Sequence, residues 1–113
     1  MIDGELSHDI AHGTLYVRFG SGDAVERIGL ECVLDVAGDG EIVGVEVLDF
    51  RRQARGADVP RVPPSNAGHA SYDVEMDALY LRVGAGHAPY QKKTSGVVVV
   101  DARRHVMGLE IAL

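Results

Sequence analysis

The chain has 113 residues, 46% of them hydrophobic, a formal net charge of -6 and one cysteine, Cys32. A fold of this length is a single domain that buries roughly two thirds of its unfolded surface, enough for one core. A lone cysteine excludes an internal disulfide and a cysteine-rich zinc site. The acidic opening MIDGELSHD and the lack of an apolar run near the roughly 18 residues of a membrane helix lead us to expect a soluble, cytoplasmic protein with no membrane partner.

The charge is unevenly spread. Residues 1–50 carry 11 acidic and 2 basic side chains, residues 51–69 carry 1 and 4, and residues 70–113 carry 5 and 5. So acidic a first half repels phosphate backbones, which argues against a nucleic-acid partner. The only basic cluster is Arg51, Arg52, Arg55 and Arg61.

In chain order, a short strand ends in DIAHG, and GTLYVRFGSG follows from Gly13 to Gly22. Leu15, Val17 and Phe19 share one face while Thr14, Tyr16 and Arg18 take the other, the period of a half-buried strand. A hydrophobic strand then runs to Val33 and Leu34, AGDGE (Ala37 to Glu41) signals a turn, and GVEV alternates with Val45 and Val47 inward and Glu46 outward. The segment Arg51 to Ala70 holds three of the four prolines and no apolar period; it reads as an extended connector with a helical turn at RRQAR.

Beyond the connector the pattern returns. DALYLRVGAG, from Asp77 to Gly86, repeats the GTLYVRFGSG segment, so that Leu15 answers Leu79, Tyr16 answers Tyr80 and Arg18 answers Arg82. Gly13 stands where the second copy has Asp77, and both types tolerate positive φ, so a left-handed turn is expected there. VLDVAGDGEIVGVEVL matches VVDARRHVMGLEIAL once two turn residues are removed and an alanine is allowed near the end, pairing Asp35 with Asp101, Gly44 with Gly108 and Glu46 with Glu110, and the same alignment sets Cys32 against Val98. The expected fold is all-β: two tandem four-stranded antiparallel units, about 5–50 and 70–113, joined by the connector 51–69. Hairpins are expected around 10–13, 37–40, 75–77 and 102–105. Four strands with one apolar face need a cover, which a second copy supplies, as a pseudo-twofold sandwich or a closed or nearly closed barrel.

These motifs carry a resemblance. The pattern YD-x-x-x-D-A-LY-[IVL]-R, a [IV]-[IV]-D strand end and G-[IVL]-E-[IVL] resembles the uncharacterised bacterial family catalogued as domain of unknown function 2283. The second copy fits as YDVEMDALYLRV, VVVVD and GLEI, whereas in the first His8 replaces the leading tyrosine and Gly13 the second aspartate. The resemblance covers nearly everything but the connector, and implies a β-rich fold and no reaction.

Chemistry is sparse. The histidines His8, His12, His69, His87 and His105 show no metal-ligand spacing on one element, so no metal or other cofactor is expected. Cys32 lies in a hydrophobic strand and reads as a small core residue; GSG and GAG lack the following helix of a phosphate loop, and Asp9, Asp35, Asp73 and Asp101 read as turn caps at strand ends. No catalytic residue is assigned. The outward residues Tyr16, Arg18 and Glu46 in one copy, and Tyr80, Arg82 and Glu110 in the other, are the binding candidates. Cross-strand arginine–glutamate pairing under a tyrosine accounts for them structurally; a recognition face for a peptide or small acidic ligand accounts for them functionally. Because nearly every candidate is duplicated and has a structural use, a non-catalytic module for a protein partner or self-association is expected ahead of an enzyme or ligand-binding protein with a pocket between the repeats.

Overall fold

The structure is a computed structural model that describes residues 7–19, 22–58 and 70–113. Gly20, Ser21, Arg61, His69 and the prolines of the connector lie outside the described residues.

Eight strands form one curled antiparallel sheet, a half-barrel. They are β1 (Ser7–Ala11), β2 (Thr14–Arg18), β3 (Glu26–Val36), β4 (Ile42–Val47), β5 (Ala70–Asp73), β6 (Ala78–Arg82), β7 (Tyr90–Val100) and β8 (Val106–Ala112), with one short helix, α1 (Phe50–Gln53). The spatial order is β1-β2-β8-β7-β3-β4-β6-β5. Two facing sheets are therefore not formed. β8 completes the β1–β2 hairpin and β4 completes the β5–β6 hairpin, so strands from the two halves of the chain are neighbours in a continuous ladder. The centre is the long β3–β7 pair, in register from Glu26↔Val100 to Val36↔Tyr90.

The turns fall where composition places them. His12 (φ 53°) and Gly13 (φ 72°) make a two-residue hairpin loop with positive φ at both positions, the pattern of a type I′ turn. Asp77 (φ 51°) takes the same left-handed conformation at the end of the longer β5–β6 loop. The β3–β4 and β7–β8 connections are the same size, closed by Ala37 N–H to Glu41 O at 2.8 Å and by Asp101 N–H to His105 O at 3.0 Å. Each is preceded by a register shift, between Asp35 and Val36 and between Val99 and Val100. Bulges of this kind increase twist and bend a sheet.

The two-residue deletion expected in the second turn is thus absent, which corrects the pairing of Asp35 with Asp101 and of Cys32 with Val98. Asp35 lies inside β3, buried at 9% exposure, whereas Asp101 caps its turn by accepting from Arg103 N–H and His105 N–H, both at 2.9 Å. Asp73 caps its own turn in the same way, through Glu75 N–H and Met76 N–H.

Side chains alternate across the sheet as period two demands, and the inner face forms the core: Leu15, Val17 and Phe19, Leu79 and Leu81, Val45 and Val47, Leu109 and Ile111, Val98 and Val100. The start of the connector, whose sequence shows no apolar period, also enters this core, together with Phe50 at the end of the first unit. Phe50, Ala54 and Ala57 are all fully buried in it. The segment is fastened at both ends. Phe50 N–H donates to Asp77 O at 2.9 Å, and Asp58 N–H to Arg104 O at 2.9 Å.

Candidate functional site

The outer face of the sheet carries the polar residues that alternate with the core. Register places Tyr16 opposite Glu110 and Arg18 opposite Gly108, and on the other flank Tyr80 opposite Glu46 and Arg82 opposite Gly44. The sequence grouping of Tyr16 and Arg18 with Glu46, and of Tyr80 and Arg82 with Glu110, is corrected: β8 and β4 have exchanged places between the halves. The six residues do not converge. β7 and β3 lie between β8 and β4, so the two groups occupy separate flanks, three strand spacings apart across the sheet and offset along the strands as well.

Neither glutamate bonds the arginine expected of it. Glu110 is held by Arg27 of β3, with Nη1 donating to Oε2 at 2.9 Å and Nη2 to Oε1 at 2.7 Å. This hydrogen-bonded guanidinium holds the Glu110 carboxyl below the usual glutamate range. On the other flank Gln91 of β7 reaches Glu46 Oε2 at 3.0 Å and Asp35 Oδ1 at 3.1 Å through the same Nε2. A neutral amide replaces a cation here, and a second carboxylate stands beside the first. Burial, then the hydrogen bond and charge of Asp35, push the Glu46 carboxyl up. Sequence reasoning missed Arg27, Asp35 and Gln91, since facing alternation reports which side a residue points to and not which strand lies next door.

The flanks differ in shape as well. The Tyr80 ring lies over Gly44, so that a Cβ there would sit 2.6 Å from the hydroxyl, and burial raises the phenol pKa. Arg82 donates to the carbonyls of Gly84 at 3.1 Å and Gly86 at 3.5 Å. On the Tyr16 flank a shallow groove of about 180 Å³ runs between Tyr16, Arg18, Met107 and Gly108.

A larger cleft of about 560 Å³ lies beside the β3–β7 centre, lined by Glu31, Val33, Leu48, Arg52, Gln53 and Lys93 among others. Its wall is fixed by the Gln53 side chain, which accepts from Glu31 N–H at 2.7 Å and donates to Glu31 O at 3.0 Å and Leu48 O at 2.7 Å. Cys32 also lines it, but the residue is only 4% exposed, and burial pushes its thiol pKa up to about 11. Such a thiol is protonated at neutral pH and a poor nucleophile. His105 lies 3.4 Å from Asp101 and 3.5 Å from Asp58, a contact that ties the connector to the β7–β8 turn. Among the described residues no three histidine, cysteine, aspartate or glutamate side chains gather as metal ligands, and no helix is long and apolar enough to cross a membrane. Compared with known proteins, the chain matches no family model, no curated protein and no solved structure.

Proposed function

We propose that this protein is a small non-catalytic interaction module that binds a protein partner, or another copy of itself, through the outer face of its sheet and the edges that the sheet leaves open. The observation that carries the reading is the pair of tyrosine–arginine patches, Tyr16 with Arg18 and Tyr80 with Arg82, whose neighbouring glutamates are already engaged by Arg27 and Gln91. Tyrosine and arginine are the side chains that supply most binding energy at flat interfaces. Catalysis instead needs unlike reactive groups converging on one point, and here the candidates sit apart on two flanks. Two patches at matching places in the two LY segments suit a partner that contacts both flanks. Support for a duplicated unit comes from the strand order, which reads the same in reverse when β1 to β4 are exchanged for β5 to β8 in turn. A buried, unreactive single cysteine suits the cytoplasm, where we place the protein.

The test is selection of binders from a displayed peptide and small-domain library, followed by amide-shift mapping on the full chain. Shifts at the two patches, lost when Tyr16 and Tyr80 become alanine and Arg18 and Arg82 become serine, are expected. Selected binders that leave both patches and every strand edge unperturbed would overturn the proposal. A second reading, a small-molecule binder, is favoured by the cleft with the Gln53-braced wall; a thermal-shift screen with metabolites, followed by loss of the shift in Lys93→Met, tests it.

A further inference from the structure

At its start β7 extends beyond its neighbour on one side. Tyr90–Lys93 pair with Val33–Val36 of β3, whereas β8 engages β7 only from Gly96 onward. Among the described residues nothing pairs with the other edge of this stretch, and all four residues are exposed, Tyr90 at 62%. An exposed run of backbone donors and acceptors is a template for another strand.

The molecule shows how it covers such an edge elsewhere. Glu26–Leu30, the corresponding start of β3, likewise extends past β4, which pairs with β3 only from Val33. There the chain turns back after β4 and covers the edge itself: the Gln53 amide takes the place of a strand against Glu31 N–H and C=O, Arg55 stands 3.9 Å from Glu26, and Phe50 and Ala54 join Ile28 and Leu30 in the core. The covered edge carries Glu26 and Glu31, and the segment that covers it carries Arg51, Arg52 and Arg55. On β7 the signs are reversed. In the alignment that pairs Leu15 with Leu79, Lys92 and Lys93 stand where β3 has Ile28 and Gly29, and neither lysine has an ion-pair partner among the described residues.

We propose that the Tyr90–Lys93 edge of β7 docks an extended acidic segment of a protein partner, added to the sheet as a further strand; this rests on the interaction-module reading and names the partner's chemistry. Main-chain hydrogen bonds supply the attachment, and the two lysines select its sign. The same lysines disfavour a second copy pairing edge to edge, since that sets like charges against each other.

The experiment titrates the full chain with three synthetic peptides of one β-forming backbone in which the two adjacent positions set beside Lys92 and Lys93, one on each face of the sheet, are glutamate, glutamine or lysine, and follows backbone amide shifts. The glutamate peptide is expected to shift Tyr90–Lys93, to weaken with added salt, and to lose affinity roughly tenfold against the double variant Lys92→Gln, Lys93→Gln. N-methylation of alternate peptide amides, which leaves the protein untouched, should abolish binding if a strand is being added. Equal binding of all three peptides at this edge overturns the acidic assignment and leaves the interaction module standing. If none of the three shifts Tyr90–Lys93, the lysines only guard the edge against aggregation and the inference fails, whereas the module reading is then judged on its own library selection at the tyrosine–arginine patches.

Discussion

Arg27 grips Glu110 with two parallel hydrogen bonds that pass over β7, tying β3 to β8 on the outer face of the sheet. On the opposite flank Gln91 of β7 spans β3 to reach Glu46 on β4 with a single amide nitrogen that it also shares with Asp35. One flank is therefore charge-balanced and the other is not, and the two should respond to pH with opposite sign.

On the balanced flank, the folded-state pKa of Glu110 lies below its usual value near 4.5. A depressed carboxyl stabilises the fold above the unfolded-state value and loses that contribution as pH falls through the folded-state value. Arg27→Ala should cost less than about 1 kcal/mol at neutral pH, because the Arg27 side chain is 57% exposed, and the difference from the parent should vanish in acid. Urea denaturation of both proteins at several pH values measures it; a difference that persists unchanged into acid contradicts the assignment.

On the unbalanced flank the sign inverts. Glu46 is raised, first by burial and then by Asp35, so its protonated form is favoured in the fold; stability is gained below the unfolded-state value near 4.5 and lost as pH rises through the folded-state value. Glu46→Gln keeps an acceptor for Gln91 and removes the repulsion. It should stabilise the protein at neutral pH by a few tenths to about 1 kcal/mol, with the gain fading in acid. Destabilisation at neutral pH would mean that the ionised carboxylate is needed.

The sequence made the strands and their faces legible because alternation such as Leu15-Val17-Phe19 against Tyr16 and Arg18 is a local signal. Neighbours were not legible. Which strand lies beside β2 depends on the closure of the whole sheet, and Arg27 sits in a strand whose glutamate partner is 83 residues away. Asp35 reads as a strand-end cap because the bulge at Val36 carries no sequence mark, and Phe50, Ala54 and Ala57 give no core signal because three apolar residues spread over a single turn of helix and its C-terminal loop make too short a pattern to register a period.

Glycines divide sharply by surroundings. A Cβ at Gly44 would lie 2.6 Å from the Tyr80 hydroxyl and 2.9 Å from the Leu81 carbonyl; the ring can move, but the backbone of the paired strand cannot. Gly44→Ala should therefore destabilise by roughly 1–3 kcal/mol. Gly29, within β3, has nothing within 4 Å of its Cβ position and no positive φ, so Gly29→Ala should stabilise by roughly 0.5–1 kcal/mol by restricting the unfolded chain. Thermal melts of the two variants should move in opposite directions, and a shared direction would show that the strand contacts are misplaced.

The connector supplies the sharpest contrast, because its arginines and its apolar residues make opposite demands on the fold. The Arg52 and Arg55 side chains are 74% and 71% exposed, Arg52 against Asp49 at 2.8 Å and Arg55 against Glu26 at 3.9 Å, and ion pairs this wet are screened by salt. Serine at positions 51, 52 and 55 together should leave the cooperative unfolding transition in place, with a small decrease in midpoint that shrinks as ionic strength rises. Phe50 is 0% exposed at the start of the same helix, its N–H anchored on Asp77 O. Phe50→Ala should cost about 3–5 kcal/mol, a large part of the 5–15 kcal/mol that holds a typical domain together, and that loss should not respond to salt. If the triple serine variant unfolds while Phe50→Ala is tolerated, the segment is fastened by its charges and Phe50 does not occupy the core; the opposite outcome identifies residues 50–57 as part of the core that closes the half-barrel.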